Sequence, residues 1–176
     1  MLHGRTWVFD APGILKMEAT LPHELAPRVE ARTGTRLWPE IAIVLLALLF
    51  RLVLLDVKPA HFDEGVNGFF VDQMTQQGYY HYDPTNFHGP LHFYILFLAQ
   101  TLLGRHAWAM RLPLALFGAA AVGLTLAFRR WFSPLTCRMA ALALAVSPAM
   151  TFYSRYAIHE TELLCFLLLL AWGGVG

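Results

Sequence analysis

The sequence predicts an all-α fold, a polytopic transmembrane helical bundle with juxtamembrane amphipathic helices in its first outer loop. Three observations lead there. Of 176 residues, 57% are hydrophobic and only 14% charged, whereas a soluble domain carries about a quarter charged residues. The apolar residues gather in runs of membrane-crossing length, such as "LWPEIAIVLLALLFRLVLL". The basic residues cluster beside some of these runs and not others, as the positive-inside rule requires.

Residues 1–36 read as a poorly ordered cytoplasmic leader. They hold Pro12, Pro22 and Pro27 and the basic residues Arg5, Lys16, Arg28, Arg32 and Arg36. No apolar core begins near Met1, so no secretory signal peptide is read there. The remainder, 37–176, reads as the N-terminal part of a transmembrane domain.

Its first span, 37–55, is about 28 Å long as a helix. Arg51 lies one turn from its end, either snorkelling to the interface or facing the polar loop beyond. Residues 56–108 form an outer loop. Within it Val66, Phe69, Phe70 and Met74 alternate with Asn67, Asp72, Gln73, Gln76 and Gln77, the spacing of an amphipathic interfacial helix. The stretch 89–104 is apolar but short and bounded by glycines, and is expected to lie in the outer leaflet rather than cross it.

Further spans follow at 109–128, 135–153 and 162–176. In 109–128 the small residues Gly118, Ala119, Ala120, Ala121 and Gly123 allow close helix packing. In 135–153 Pro148 is tolerated as a kink. The chain ends "ELLCFLLLLAWGGVG", an apolar run with no flanking charge, which reads as the interior of a longer protein. Cys137 and Cys165 are too few for a disulfide framework and read as buried thiols.

Charge sets the orientation. A basic leader places the N-terminus in the cytoplasm, and Arg129, Arg130 and Arg138 join it there only if 89–104 does not cross. Asp63, Glu64, the loop "YDPTNFHGPLH", Arg111 and "YSRYAIHE" then share the outer face. Asp63 is placed at the N-cap of the amphipathic helix with Glu64 in its first turn, where the helix dipole suits a carboxylate. Arg111 and Arg155, each at the end of a span, either snorkel or clamp a phosphate. His88, His92, Tyr82, His159 and Glu160 complete the candidate binding residues. The histidines have no zinc-ligand spacing, and no bound metal is expected. With a net charge of +1 and no basic tract, no nucleic-acid partner is expected.

In order along the chain, "FDE", "HGPL", "MRLP", "FRRWF" and "YSRYAIHE" resemble the GT-C superfamily of polytopic glycosyltransferases. The similar branch holds the protein O-mannosyltransferases and lipid A aminoarabinose transferases, and "YDPTNFHGPLHFY" looks closest to the flippase-activity-associated proteins. The likeness covers residues 37–176. It departs at Gly89, where the family has proline, and in lacking a lysine beside that motif.

The resemblance implies an integral cell-membrane enzyme working at the outer face without a cofactor or metal. It would transfer a sugar from a polyprenyl-phosphate donor to a glycan, lipid or protein acceptor. Asp63 would be the general base, Glu64 its orienting or acceptor-binding neighbour, and Arg111 and Arg155 the phosphate ligands. A non-catalytic membrane protein that assists flipping or assembly of lipid-linked sugars is the alternative. A plain structural membrane module and a metal-dependent outer-face hydrolase are further ones.

Overall fold

The computed structural model describes residues 8–10, 14–16 and 37–174. It divides into two units, 1–36 and 37–176. In the first, β1 (Val8–Asp10) and β2 (Ile14–Lys16) pair antiparallel, with Val8 opposite Lys16 and Asp10 opposite Ile14. This ladder is a small departure from an all-α fold, within the stretch expected to be a poorly ordered leader. The rest of that leader lies outside the described residues.

The second unit is helical: α1 (Trp38–Leu52), α2 (Phe62–Gln77), α3 (Pro90–Leu103), α4 (Ala107–Ala127), α5 (Pro134–Val146), α6 (Pro148–Tyr153) and α7 (Glu160–Gly174). Proline opens α1, α3, α5 and α6, where its missing N–H costs nothing and its fixed φ favours the first turn. Ser133 and Ser147 cap α5 and α6 through their hydroxyls. The expected helix of the first loop is present as α2, closed by Gly78 in the left-handed region at φ 83°.

Helix α4 is the hub, packing against α1, α3, α5 and α7. One core joins Ala47, Val122, Leu126, Ala141 and Ala145 from α1, α4 and α5, where alanines let the backbones approach. A second joins Val71, Leu96, Met110, Leu114 and Ala157, and a third is the aromatic group Phe70, Tyr80 and Phe93 with Met74. Tyr80 and Phe93 stack with centroids 4.5 Å apart. Cys137 and Cys165 are buried free thiols.

Among the described residues one helix, Ala107–Arg130, is long and apolar enough to cross a membrane, while Pro90–Leu103 and Pro134–Val146 are apolar but shorter. Two expected spans differ in detail. The 37–55 helix stops at Leu52, because Val53 turns extended and Leu54 enters the left-handed region at φ 55°. The 135–153 helix is broken outright at Ser147, since Pro148 has no N–H to carry the ladder on.

Arg51 neither snorkels nor faces the loop. It is fully buried and donates to the carbonyls of Ala47 (3.1 Å), Leu144 (3.1 Å) and Ala145 (3.2 Å) and to Ser154 Oγ (3.3 Å). The carbonyls of Leu144 and Ala145 are those the break at Pro148 leaves without helical partners. The guanidinium stands in for the missing turn.

Candidate active site

Helix α2 is capped by His61, not Asp63. The His61 ring accepts a hydrogen bond from the Asp63 N–H through Nδ1 (3.3 Å), and the His61 N–H donates to Glu64 Oε2 (3.2 Å). This reciprocal cap fixes the first turn so that its two carboxylates point opposite ways. Buried partners decide which goes inward: Glu64 joins Asn67, Phe70, Val71 and Met74 on the buried stripe of α2 and meets Arg111 there, while Asp63 stays exposed.

Glu64 is locked. Its side chain is 5% exposed and pairs with Arg111 in a two-pronged bridge, Nε to Oε1 at 2.6 Å and Nη2 to Oε2 at 2.7 Å. Oε1 also accepts from the Ala157 N–H at 3.1 Å. The remaining N–H groups of Arg111 reach the carbonyls of Leu55 (2.9 Å), Lys58 (3.0 Å) and Pro59 (3.3 Å). All five guanidinium donors are therefore occupied, and none is left for a phosphate. The expected phosphate ligand is instead the clasp between α4, the first turn of α2 and the loop behind α1. Glu64 likewise orients Arg111, not Asp63.

Asp63 is open. Its side chain is 54% exposed, with Oδ2 3.3 Å from His61 Nδ1. It lines a pocket of about 170 Å³ together with Val66, Asn67, Asn86, His88, Ile158, His159 and Glu160. Four of the residues singled out from sequence, Asp63, His88, His159 and Glu160, thus converge although they lie far apart in the chain. The lining holds two carboxylates and neither lysine nor arginine.

Each wall has a local cause. Asn67, buried on α2, donates to the Ala157 carbonyl at 2.8 Å and so ties the helix to the 154–159 turn. In "DPTNFHG" Asp83 Oδ1 accepts from the Thr85 N–H (2.8 Å) and hydroxyl (2.7 Å). These bonds hold the Asp83 carboxyl below its usual range and set an Asx turn. Phe87 follows in the left-handed region at φ 58°. The turn delivers Asn86 and His88, linked Oδ1 to Nδ1 at 3.0 Å. The rings of His88 and His159 meet edge to face, 4.4 Å between centroids. Burial, chiefly, holds the His159 imidazole below its usual range; Glu160 opposes this, and His88 and His92 add to it.

Three expected residues lie elsewhere. His92 is buried behind the pocket, with Nδ1 3.1 Å from Glu162 Oε1 and its ring 6.0 Å from that of His159. Tyr82 is exposed and does not line the pocket. Arg155 donates to the carbonyls of Phe50 (2.8 Å) and Leu54 (2.7 Å), closing the end of α1. Among the described residues no three His, Cys, Asp or Glu side chains are arranged to hold a metal ion.

Sequence reasoning passed over Asn86, Ile158, Glu162 and Tyr156. It also passed over the inward position of Asn67, although the 64, 67, 71, 74 spacing carries that signal. Tyr156 joins the two halves of the region: its ring lies 5.5 Å from that of His61 and 5.3 Å from the Arg111 guanidinium.

Residues 87–175, just over half of the chain, match the family described as dolichyl-phosphate-mannose-protein mannosyltransferase, and the chain belongs to that family. This makes it, at the coarse level, a member of a membrane glycosyltransferase family within the GT-C group. It is also similar to the "Putative mannosyltransferase YkcB" of Bacillus subtilis (strain 168), 26% identical over 145 residues, which is 76% of this chain. The chain spans only 20% of that relative's length. No solved structure matches. The matched segment supplies His88, His159 and Glu160 to the pocket, and α2, which supplies Asp63, precedes it.

Proposed function

We propose that the pocket beside Asp63 is where a sugar is transferred from a polyprenyl-phosphate donor to an acceptor hydroxyl at the outer face of the cell membrane. The observation that carries this reading is the solvent-open Asp63 carboxylate set among the hydrogen-bonding groups of Asn67, Asn86, His88, His159 and Glu160. Family membership and the "mannosyltransferase" in the relative's name support a glycosyl donor.

In the proposed step Asp63 takes the proton of the acceptor hydroxyl. The oxygen attacks the anomeric carbon, and the bond from that carbon to the lipid phosphate breaks, with the electron pair leaving on the phosphate. A phosphate departs without prior protonation, so one base suffices. The pocket walls hydrogen-bond the hydroxyls of sugar and acceptor. A lining with two carboxylates and no cation repels the phosphate, which stays outside it. Glu64 and Arg111 take no part in the chemistry and hold the first turn of α2 still.

The test is Asp63→Asn in the protein as expressed in membranes, with donor binding and sugar transfer measured together. The expected result is transfer reduced about 10²- to 10⁴-fold, as for loss of a general base, with donor binding retained. Unchanged glycan output would favour the non-catalytic helper in lipid-linked sugar assembly instead.

A further inference from the structure

The other side of the His61–Tyr156 contact is cationic, and sugar transfer does not use it. Lys58 lies over two aromatic rings, its Nζ 4.9 Å from the centroid of Phe152 and 5.1 Å from that of Tyr156. Among the described residues no carboxylate or oxygen acceptor bonds its ammonium, and its charge is balanced by π faces alone. Arg155, beside it, spends one N–H of each terminal nitrogen on the Phe50 and Leu54 carbonyls and meets no carboxylate either. Burial first, then the charges of Arg155 and Arg111, push the Lys58 ammonium below the usual lysine range, as two uncompensated cations close together would.

Two clefts flank this pair. One, about 260 Å³, is lined by Phe50, Lys58, Val146, Pro148, Thr151 and Phe152; the other, about 330 Å³, by Leu49, Phe50, Val53, Leu54 and Arg155. They share Phe50 as a wall, and one cation lines each. Leu49, Phe50, Val53, Leu54, Val57 and Phe152 are all exposed, an apolar patch that calls for a partner.

We propose that the end of α1 binds an anionic diacyl phospholipid, its phosphate between Lys58 and Arg155 and one chain in each cleft. The charge selects an anion, the apolar walls a lipid rather than free phosphate, and the two separate clefts a two-chain lipid rather than a single-chain prenyl phosphate. This site is independent of sugar transfer.

The test uses the whole chain in a neutral detergent, with retained lipid counted by native mass spectrometry. The probes are phosphatidylglycerol, phosphatidylcholine, inorganic phosphate and a single-chain prenyl monophosphate. One phosphatidylglycerol should be retained more tightly than phosphatidylcholine, and Lys58→Gln should weaken it about fivefold, the worth of one interfacial lysine. The Lys58 side chain makes no hydrogen bond among the described residues, and the variant keeps the backbone carbonyl that Arg111 uses, so it should fold. Val53→Gln, in the second cleft, should also weaken retention with the charge untouched. Equal retention of the two phospholipids, or unchanged retention by Lys58→Gln, overturns the proposal. So does expulsion of phosphatidylglycerol by the prenyl monophosphate, or protection by inorganic phosphate alone.

Discussion

Asp63 and Glu64 are neighbours in sequence and opposites in circumstance. Glu64 is buried and accepts four hydrogen bonds, two from Arg111 and one each from the His61 and Ala157 N–H groups. Asp63 opens on a polar pocket, with the His61 ring beside it. A helix turns about 100° per residue, enough to send one carboxylate into the core and the next to solvent. The difference teaches that an acidic pair divides its surroundings: one member makes the turn rigid, and the other is left exposed to the pocket, where the proposed proton transfer would need it.

The strongest challenge to this division is Glu64→Ala. It leaves Arg111 buried without its carboxylate, which should cost about 3–5 kcal/mol. Chemical unfolding in detergent would measure it. Pairing Glu64→Leu with Arg111→Met removes both charges and should restore much of that loss. If Glu64→Ala unfolds like the parent, the clasp is not what holds the turn.

The second prediction concerns α4 at Arg51. A Cβ on Gly118 would sit 2.3 Å from Ser154 Oγ, 2.7 Å from Ser154 Cβ and 2.8 Å from Arg51 Nε, whereas one on Gly123 meets nothing within 4 Å. Gly118→Ala should destabilise by about 1–3 kcal/mol. Gly123→Ala should be neutral or gain up to about 1 kcal/mol from helix propensity. Equal thermal shifts for the two would contradict the packing described.

The smallest effect is in pH. His159 has a folded pKa below its unfolded one, so the unfolded chain binds the extra proton. Stability should be full above the ordinary imidazole value of about 6.5 and decline as pH falls through it. His159→Gln should flatten that decline in unfolding measured from pH 8 to 5.

Much of this was legible beforehand. The apolar runs marked helices α3 to α5, and the loop "YDPTNFHGPLH" lay where a turn was built. What was hidden depended on distant partners. Arg111 reads as a terminal arginine free to meet phosphate, and only folding brings Glu64, 47 residues away, and three carbonyls onto its donors. Arg155 lies away from the pocket for a similar reason, its carbonyl partners lying 101 and 105 residues back. The choice between Asp63 and Glu64 was hidden too: Asn67, Phe70 and Met74 stand at helical spacing from Asp63 as Asn67, Val71 and Met74 do from Glu64, and the buried Arg111 is what draws Glu64 inward.

The most direct measurement is to take Asp63→Asn and Glu64→Gln side by side, recording sugar transfer and thermal unfolding for each. The account predicts that Asp63→Asn unfolds like the parent yet loses transfer at least about 100-fold, while Glu64→Gln loses stability first and activity only with it. Transfer that survives in Asp63→Asn, or falls only as far as its stability does, would contradict it.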